Sequence, residues 1–268
     1  MYGAVDIGGT KTLVAVFSKD GKIIEQIRFL TPKDYPSFNL ELAATVAKLS
    51  TKEFQKTVVA IPGTPDRKRG LGLVFGNLPW TDVPIEKDAE KIFECPVTLE
   101  NDAKLAALSE AHALKNEFRK VLYITISTGI GGGLVIDGKL ASDFQDIDPG
   151  HMILEHKGRF EQWEDFASGR AIVEKFGKRA DEMTDPQQWY IVARNIAVGL
   201  NTLIATLDPE VIVIGGSIGS HLEKFQDRLL EQLKIYEHPM TPVPPIRKAV
   251  NAEEAVIYGC YQLARAES

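Results

Sequence analysis

The residues best equipped for chemistry stand together near the start, in Asp6-Ile7-Gly8-Gly9-Thr10-Lys11, between apolar runs ending at Val5 and resuming at Leu13. Paired glycines let a backbone bend sharply and bring its N–H groups close to a ligand, because no Cβ stands in the way. N–H groups, the Thr10 hydroxyl and the Lys11 ammonium on one bend make a cradle for phosphate. Asp6, just before the bend, repels phosphate unless a cation lies between them, which implies Mg²⁺ oriented by Asp6. The same residue types also build an ordinary surface hairpin, so the first bend alone leaves both readings open.

A second stretch repeats the pattern at domain spacing. Ser127-Thr128-Gly129-Ile130-Gly131-Gly132-Gly133 again joins two strand-like runs and leads to Asp137-Gly138-Lys139, as the first leads to Asp20-Gly21-Lys22. Such self-similarity points to a duplicated architecture with a nucleotide between its halves. Glu100-Asn101-Asp102-Ala103 reads as a strand-to-helix junction. Asp102 there serves either as a helix N-cap or as a general base that takes the proton of an attacking hydroxyl. The carboxyl end of a strand, where α/β sheets bind ligands, favours the base. The N–H groups of the helix start would keep it ionised at neutral pH.

These groups need elements to hold them. Lys22–Leu30 reads as a third strand, and residues 37–50 as a helix with Leu40, Ala43, Ala44 and Ala47 on one face. Val58–Ile61 is a short buried strand. Residues 64–84 read as an irregular, Gly-rich loop of the length that is usually functional; it contains Gly76-Asn77-Leu78-Pro79-Trp80. Helices are expected over 86–94 and 102–115, with a strand at 96–99. In the second half, strands are expected at 121–127, 133–137, 211–214 and 246–250. Helices are expected at 162–178, 186–207, 221–234 and 252–266. Trp189, Val192, Ile196, Leu200 and Leu203 form one apolar stripe of the longest. The alternation gives an α/β protein with a mixed sheet in each half.

Composition narrows the classes. Hydrophobic content of 44% and charged content of 25% suit a chain with a full core. A net charge of −6, without long Lys/Arg runs, argues against nucleic acid as a partner. No apolar run is read as approaching the roughly 20 residues of a membrane span. Cys95 and Cys260 have no metal-type spacing and read as reduced thiols. With no signal peptide recognisable after Met1, a cytoplasmic protein is expected.

Six motifs in order resemble the ROK family of sugar kinases across essentially the whole chain. They are Asp6–Lys11, Glu100–Ala103, Ser127–Gly133, Gly150-His151-Met152, Ala167-Ser168-Gly169-Arg170-Ala171 and the run from Asp208 to Gly216. The resemblance implies an actin-like ATPase fold, two ribonuclease-H-like domains with a cleft between them. The smaller N-terminal domain would comprise residues 1–119 plus 251–268, the larger one 120–250. It implies ATP-dependent phosphorylation of a hexose, with domain closure excluding water. Asp102 is then the base. Asn77, Asn101, Asp148, His151 and Glu164 stand on the sugar side. Gly8, Gly9, Thr10, Lys11, Thr128, Gly129 and Gly131, with the amides through Gly133, hold phosphates. Gly215 and Gly216 lie against the adenosine. A second copy of the chain is a further implied partner, since the family is often dimeric.

This sequence departs from the family pattern twice. The three zinc-binding cysteines after Gly-His are absent, their positions falling at Glu155, Lys157 and Gln162. A zinc-free member is expected, its loop held by packing of Phe160 and Trp163. The glutamate two residues before Gly150 is Asp148, one methylene shorter, which leaves the identity of the sugar open. Two rival classes share the fold: a non-catalytic sugar-responsive regulator and an actin-like ATPase acting on a protein. Regulators carry a helix-turn-helix ahead of the first hairpin, which here begins at Tyr2. The set Asn77, His151 and Glu164 beside Asp102 argues against a protein substrate.

Overall fold

Strands that are apolar on both faces belong inside a sheet covered on both sides, and the runs flanking the first glycine bend are of this kind. The structure, a computed structural model, describes residues 1–51, 53–115, 117–251 and 254–266. β1 (Tyr2–Ile7) and β2 (Lys11–Phe17) form the antiparallel hairpin, with Ile7 opposite Thr12 at the bend. β3 (Ile23–Leu30) extends it and alternates half-buried with exposed residues, as an edge strand does. α1 (Tyr35–Lys48) starts after Asp34, whose carboxylate accepts the Ser37 N–H. β4 (Lys56–Ile61) returns parallel to β1.

Next come β5 (Gly63–Asp66), β6 (Leu71–Phe75) and β7 (Thr81–Val83), a separate antiparallel sheet. This is the stretch expected to be irregular. Strands of three to five residues carry too few alternations to register as a period. α2 (Ile85–Phe93) leads to β8 (Val97–Asn101), parallel to β4, and to α3 (Asp102–Ala113). The five-stranded sheet has the order β3-β2-β1-β4-β8.

The second half repeats this plan. β9 (Lys120–Ile126) and β10 (Ile130–Ile136) form the hairpin, and β11 (Lys139–Leu140) extends it. β12 (Ile153–His156) and β13 (Arg159–Gln162) make a small hairpin. α4 (Trp163–Ala167) and α5 (Gly169–Phe176) replace the single helix expected there. The break is Ser168, whose hydroxyl accepts the Ala171 N–H and so caps α5. α6 (Pro186–Leu207) starts with Pro186 at its first position and ends at Asp208, in the left-handed region at φ 46°.

β14 (Val211–Gly215) lies parallel to β9, followed by α7 (Gly216–Gly219), α8 (Gln226–Lys234) and β15 (Ile246–Lys248). The order β11-β10-β9-β14-β15 is that of the first sheet with the same parallel and antiparallel sense. α9 (Ala255–Ala266) packs on β1 and β4. Its expected start at Ala252 lies outside the described residues, as do 253, 267 and 268 of the C-terminal stretch.

α6 has 22 residues and a stretch of 18 with a mean hydropathy of 1.3, so it is long and apolar enough by composition to cross a membrane, contrary to expectation. Its apolar side is spent on the core: Trp189, Val192, Ile196, Leu200 and Leu203 are buried against β9 and β14 residues such as Ile124 and Ile212.

The chain divides into two compact units, Met1–Ser109 with Glu253–Ser268, and Glu110–Ala252. The division falls inside α3, whose Glu110 carboxylate accepts the Val250 and Asn251 N–H groups, at 2.9 and 2.8 Å.

Candidate active site

In the first unit the bend at Gly8–Lys11 is closed by the Gly8 N–H on the Lys11 carbonyl, 3.0 Å. Its other carbonyls are claimed by neighbours. Gly8 C=O accepts the Thr31 hydroxyl at 2.8 Å, Gly9 C=O the Lys33 ammonium at 3.2 Å, and Thr10 C=O the Thr31 N–H at 2.9 Å. In a trans peptide the C=O and the following N–H point in opposite directions. The N–H groups of Gly9, Thr10 and Lys11 therefore point away from Thr31 and Lys33, in the successive arrangement that binds anions. Thr10 and Lys11 are exposed. A Cβ on Gly9 would lie 2.6 Å from Cβ of Asn77, so only glycine lets the β6–β7 connection come this close. That approach brings Asn77 to the bend.

Asp102 opens α3, but it is not the cap. Asn101 Oδ1 accepts the Lys104 N–H at 3.2 Å, the capping bond, and Asn101 Nδ2 donates to Gly63 C=O at 2.9 Å. One Asp102 oxygen accepts the Ala103 N–H at 2.7 Å. Burial pushes the Asp102 carboxyl up to about 6, outweighing the Ala103 N–H and Lys104, which pull it down. The helix-start N–H thus only partly offsets burial, and the carboxyl is mostly ionised at pH 7, the state expected from the sequence. Asp6, on β1, is pushed up to about 7 by burial and then by the charge of Asp102, with Arg28 opposing. Arg28, Leu13, Asp6, Ala60 and Glu100 lie in one row across β3-β2-β1-β4-β8, hence on one face of the sheet.

The second unit repeats the device. Ser127 C=O accepts the Gly169 N–H at 2.6 Å and Thr128 C=O the Arg170 N–H at 3.4 Å. The N–H groups of Thr128 and Gly129 accordingly point away from α5. A Cβ on Gly129 would sit 2.6 Å from Glu164 Oε2, and that oxygen accepts the Ile130 N–H at 3.1 Å. Gly150 approaches the same oxygen, so Glu164, Gly129 and the Gly150-His151 turn form one cluster. Gly131 lies inside β10 opposite Thr125, and Gly132 and Gly133 follow it there, so only Thr128 and Gly129 stand on the turn. Gly215 ends β14 and Gly216 opens α7, whose Ser217 N–H donates to Ser127 Oγ at 3.0 Å. That bond brings the Gly215-Gly216 segment to the second bend.

Asp148 and His151 pair with each other, Oδ2 to Nδ1 at 2.6 Å, and both are more than half exposed. With Nδ1 engaged by the carboxylate, Nε2 is the other ring nitrogen of this half-exposed side chain. The positions of the missing cysteines lie on the β12–β13 hairpin, where Lys157 and Gln162 offer no zinc-binding atom of the usual kind. Trp163 is fully buried, its Nε1 donating to Asn195 C=O, but Phe160 is 80% exposed. Glu155 pairs with Phe160 across the hairpin, while His156 stacks on Phe166 with ring centres 4.2 Å apart and bonds Glu161 at 2.5 Å. Those contacts hold the hairpin in place of the expected Phe160. Sequence reasoning missed Thr31, Lys33 and Arg67. The first two act on backbone atoms, which leave no mark on residue pattern.

The sequence model of the ROK family matches residues 2–267. An N-acetylmannosamine kinase from Vibrio cholerae is 30% identical over 270 residues, covering 89% of this chain and 92% of that protein. Among solved structures, a ROK hexokinase from Thermus thermophilus superposes with a TM-score of 0.84 at 29% identity, over 99% of this chain and 98% of that one. A ROK glucokinase from Streptomyces griseus, in complex with glucose and AMPPNP, gives 0.79 at 25% identity, over 99% of both chains.

Proposed function

Because this chain belongs to the ROK family, a sugar-kinase family with the actin-like ATPase fold, we propose that it transfers the terminal phosphoryl group of ATP to a hydroxyl of a hexose, with Asp102 as general base. The observation that carries this reading is Asp102 itself. It is a carboxylate at a helix start, released from capping by Asn101 and held at about 6 by burial. A base with a pKa just below working pH is ionised yet still basic enough to take a proton.

Phosphoryl transfer asks a protein for alignment and charge stabilisation more than for covalent chemistry. In the first unit, the outward N–H groups of Gly9, Thr10 and Lys11, with the Thr10 hydroxyl and Lys11 ammonium, take phosphate oxygens. In the second unit, Thr128 and Gly129 do the same, with Gly215-Gly216 against the adenosine. Asn77, Asn101, Asp148, His151 and Glu164 hold sugar hydroxyls. His151 offers Nε2, its ring set by Asp148. Asp6 and Asp102 are two carboxylates raised by burial, Asp6 also by its neighbour, so positive charge is what the pair lacks. This fits a divalent cation, with Asp6 orienting it directly or through water. When bound, Mg²⁺ neutralises charge on the phosphates.

The test is release of ADP by the purified chain with and without a panel of hexoses and N-acetylhexosamines, with polyphosphate as a second donor. A kinase turns over only with its sugar; ATP hydrolysis indifferent to every sugar would exclude this reading. Asp102→Asn is expected to lower kcat by roughly 10²–10⁴, the range of a lost general base, while sugar still binds by calorimetry. Retention of most turnover would remove Asp102 from its role.

A further inference from the structure

The small β5–β7 sheet touches the candidate site at three points, all in the first unit. Its β6–β7 connection sets Asn77 against Gly9. Its first residue, Gly63, takes the Asn101 side-chain amide. Its β5–β6 turn carries Arg67, which meets Glu100 with two prongs: Nε to Oε2 at 2.7 Å and Nη2 to Oε1 at 2.5 Å. Asp66 shapes that turn by accepting the Lys68 and Arg69 N–H groups. Glu100 is buried, with 4% of its surface exposed, and its Oε1 also accepts the Asn101 N–H at 2.6 Å. The carboxylate that Arg67 grips is therefore the one that fixes the peptide entering α3.

We propose that Arg67 is a positioning residue for the phosphoryl-transfer step: through Glu100 it fixes the backbone at Asn101, and with it the direction in which Asp102 leaves the helix start. The two-pronged geometry is what the role needs, because a planar guanidinium sets the orientation of a carboxylate as well as its charge. Without Arg67 the Glu100 carboxylate is buried without its ion partner and must turn or draw in water. Either response moves the Asn101 peptide. Glu100 also lies in the same sheet row as Asp6, separated by Ala60. Arg67 thus offsets a third carboxylate in a region that already holds two. The inference rests on Asp102 being the base.

The experiment compares full-length Arg67→Ala, Arg67→Lys and Glu100→Gln with wild type, measuring kcat, KM for hexose, KM for MgATP and thermal melting. Leu42→Ala, a core change on the buried face of α1, serves as a control for lost stability. Arg67→Ala is expected to lower kcat roughly ten- to hundredfold, the cost of a small misplacement of a reacting group. KM for MgATP should stay within about twofold, since the Gly8–Lys11 bend is untouched. Arg67→Lys keeps the charge without the fork and should recover only part of kcat. If Arg67→Ala does not fold, Arg67→Lys and Glu100→Gln decide: each should lower kcat at nearly unchanged melting temperature. Arg67 variants with wild-type kcat, or with losses no different from those of Leu42→Ala at equal melting temperature, overturn the proposal. Asp102→Asn assayed in parallel separates the two readings. If that variant stays active, the base assignment fails; if it is inactive while the Arg67 variants are normal, only the positioning role fails.

Discussion

A general base acts only when ionised, and that sets a pH limit on activity. With its pKa near 6, Asp102 should make kcat/KM fall at least about tenfold per unit as pH drops below that value. A profile level down to pH 5 would contradict the assignment. Asp6 makes a different prediction. Its folded-state pKa, about 7, lies above the ordinary 3.8, so the folded chain holds this proton more tightly than the unfolded chain. Stability is then full below about 3.8, declines as pH rises, and is lowest above 7. Asp6→Asn removes that penalty. The free protein's Tm at pH 8 should rise by a few degrees while activity falls, each ~1 kcal/mol giving about 2–4 °C for a chain of this size. At pH 4 the gain should shrink toward zero. A lower Tm for Asp6→Asn at pH 8 would mean that the carboxylate stabilises the free fold.

Each unit presents one short turn whose carbonyls are tied down so that its amides face away from them, and each turn ends against a residue proposed to hold sugar, Asn77 or Glu164. Gly129→Ala tests this at the level of the element. The new Cβ collides with Glu164 Oε2, so the carboxylate has to leave the Ile130 N–H. KM for sugar is expected to rise roughly tenfold or more, in keeping with about 1.4 kcal/mol per factor of ten, with little change in melting. The turns were legible in the sequence because the Gly/Thr bend recurs at domain spacing, whereas either bend alone also reads as an ordinary hairpin. The long helices were legible from their period, and Pro186 and Asp208 mark the ends of α6. The β5–β7 sheet was not legible, since its strands are too short to show alternation. Nor was Ser168, which reads as one polar residue within a helix until its hydroxyl is seen capping α5. Phe160 misled because an aromatic residue next to Trp163 suggests shared burial, whereas Phe160 faces solvent at the hairpin edge. Arg67 gave no signal, because a turn arginine in sequence is indistinguishable from a solvated one.

At the scale of the whole chain, the doubled strand order was foreshadowed by the repeated glycine bends. The membership of the last helix came only from the family resemblance. α9 closes the core that β1, β2 and β4 leave open, burying Ile257, Cys260, Tyr261 and Ala264 against Tyr2, Ala4, Phe17 and Val58. Full burial of large side chains contributes about 1.5–3 kcal/mol each, and a domain holds only about 5–15 kcal/mol in all. Deleting the chain from residue 254 should therefore abolish cooperative melting of the first unit and with it ATP-dependent turnover. Calorimetry of the truncated chain checks this, and a full, unshifted transition would show that α9 is dispensable.

That dependence has a consequence for synthesis. The segment made first lacks a complete interior until the final helix has been translated and has cleared the ribosome, whereas residues 110–252 form a unit of continuous sequence. The later-made half can therefore mature before the earlier one, and during elongation the nascent N-terminal strands must wait with their apolar faces uncovered, the condition under which newborn chains need chaperones.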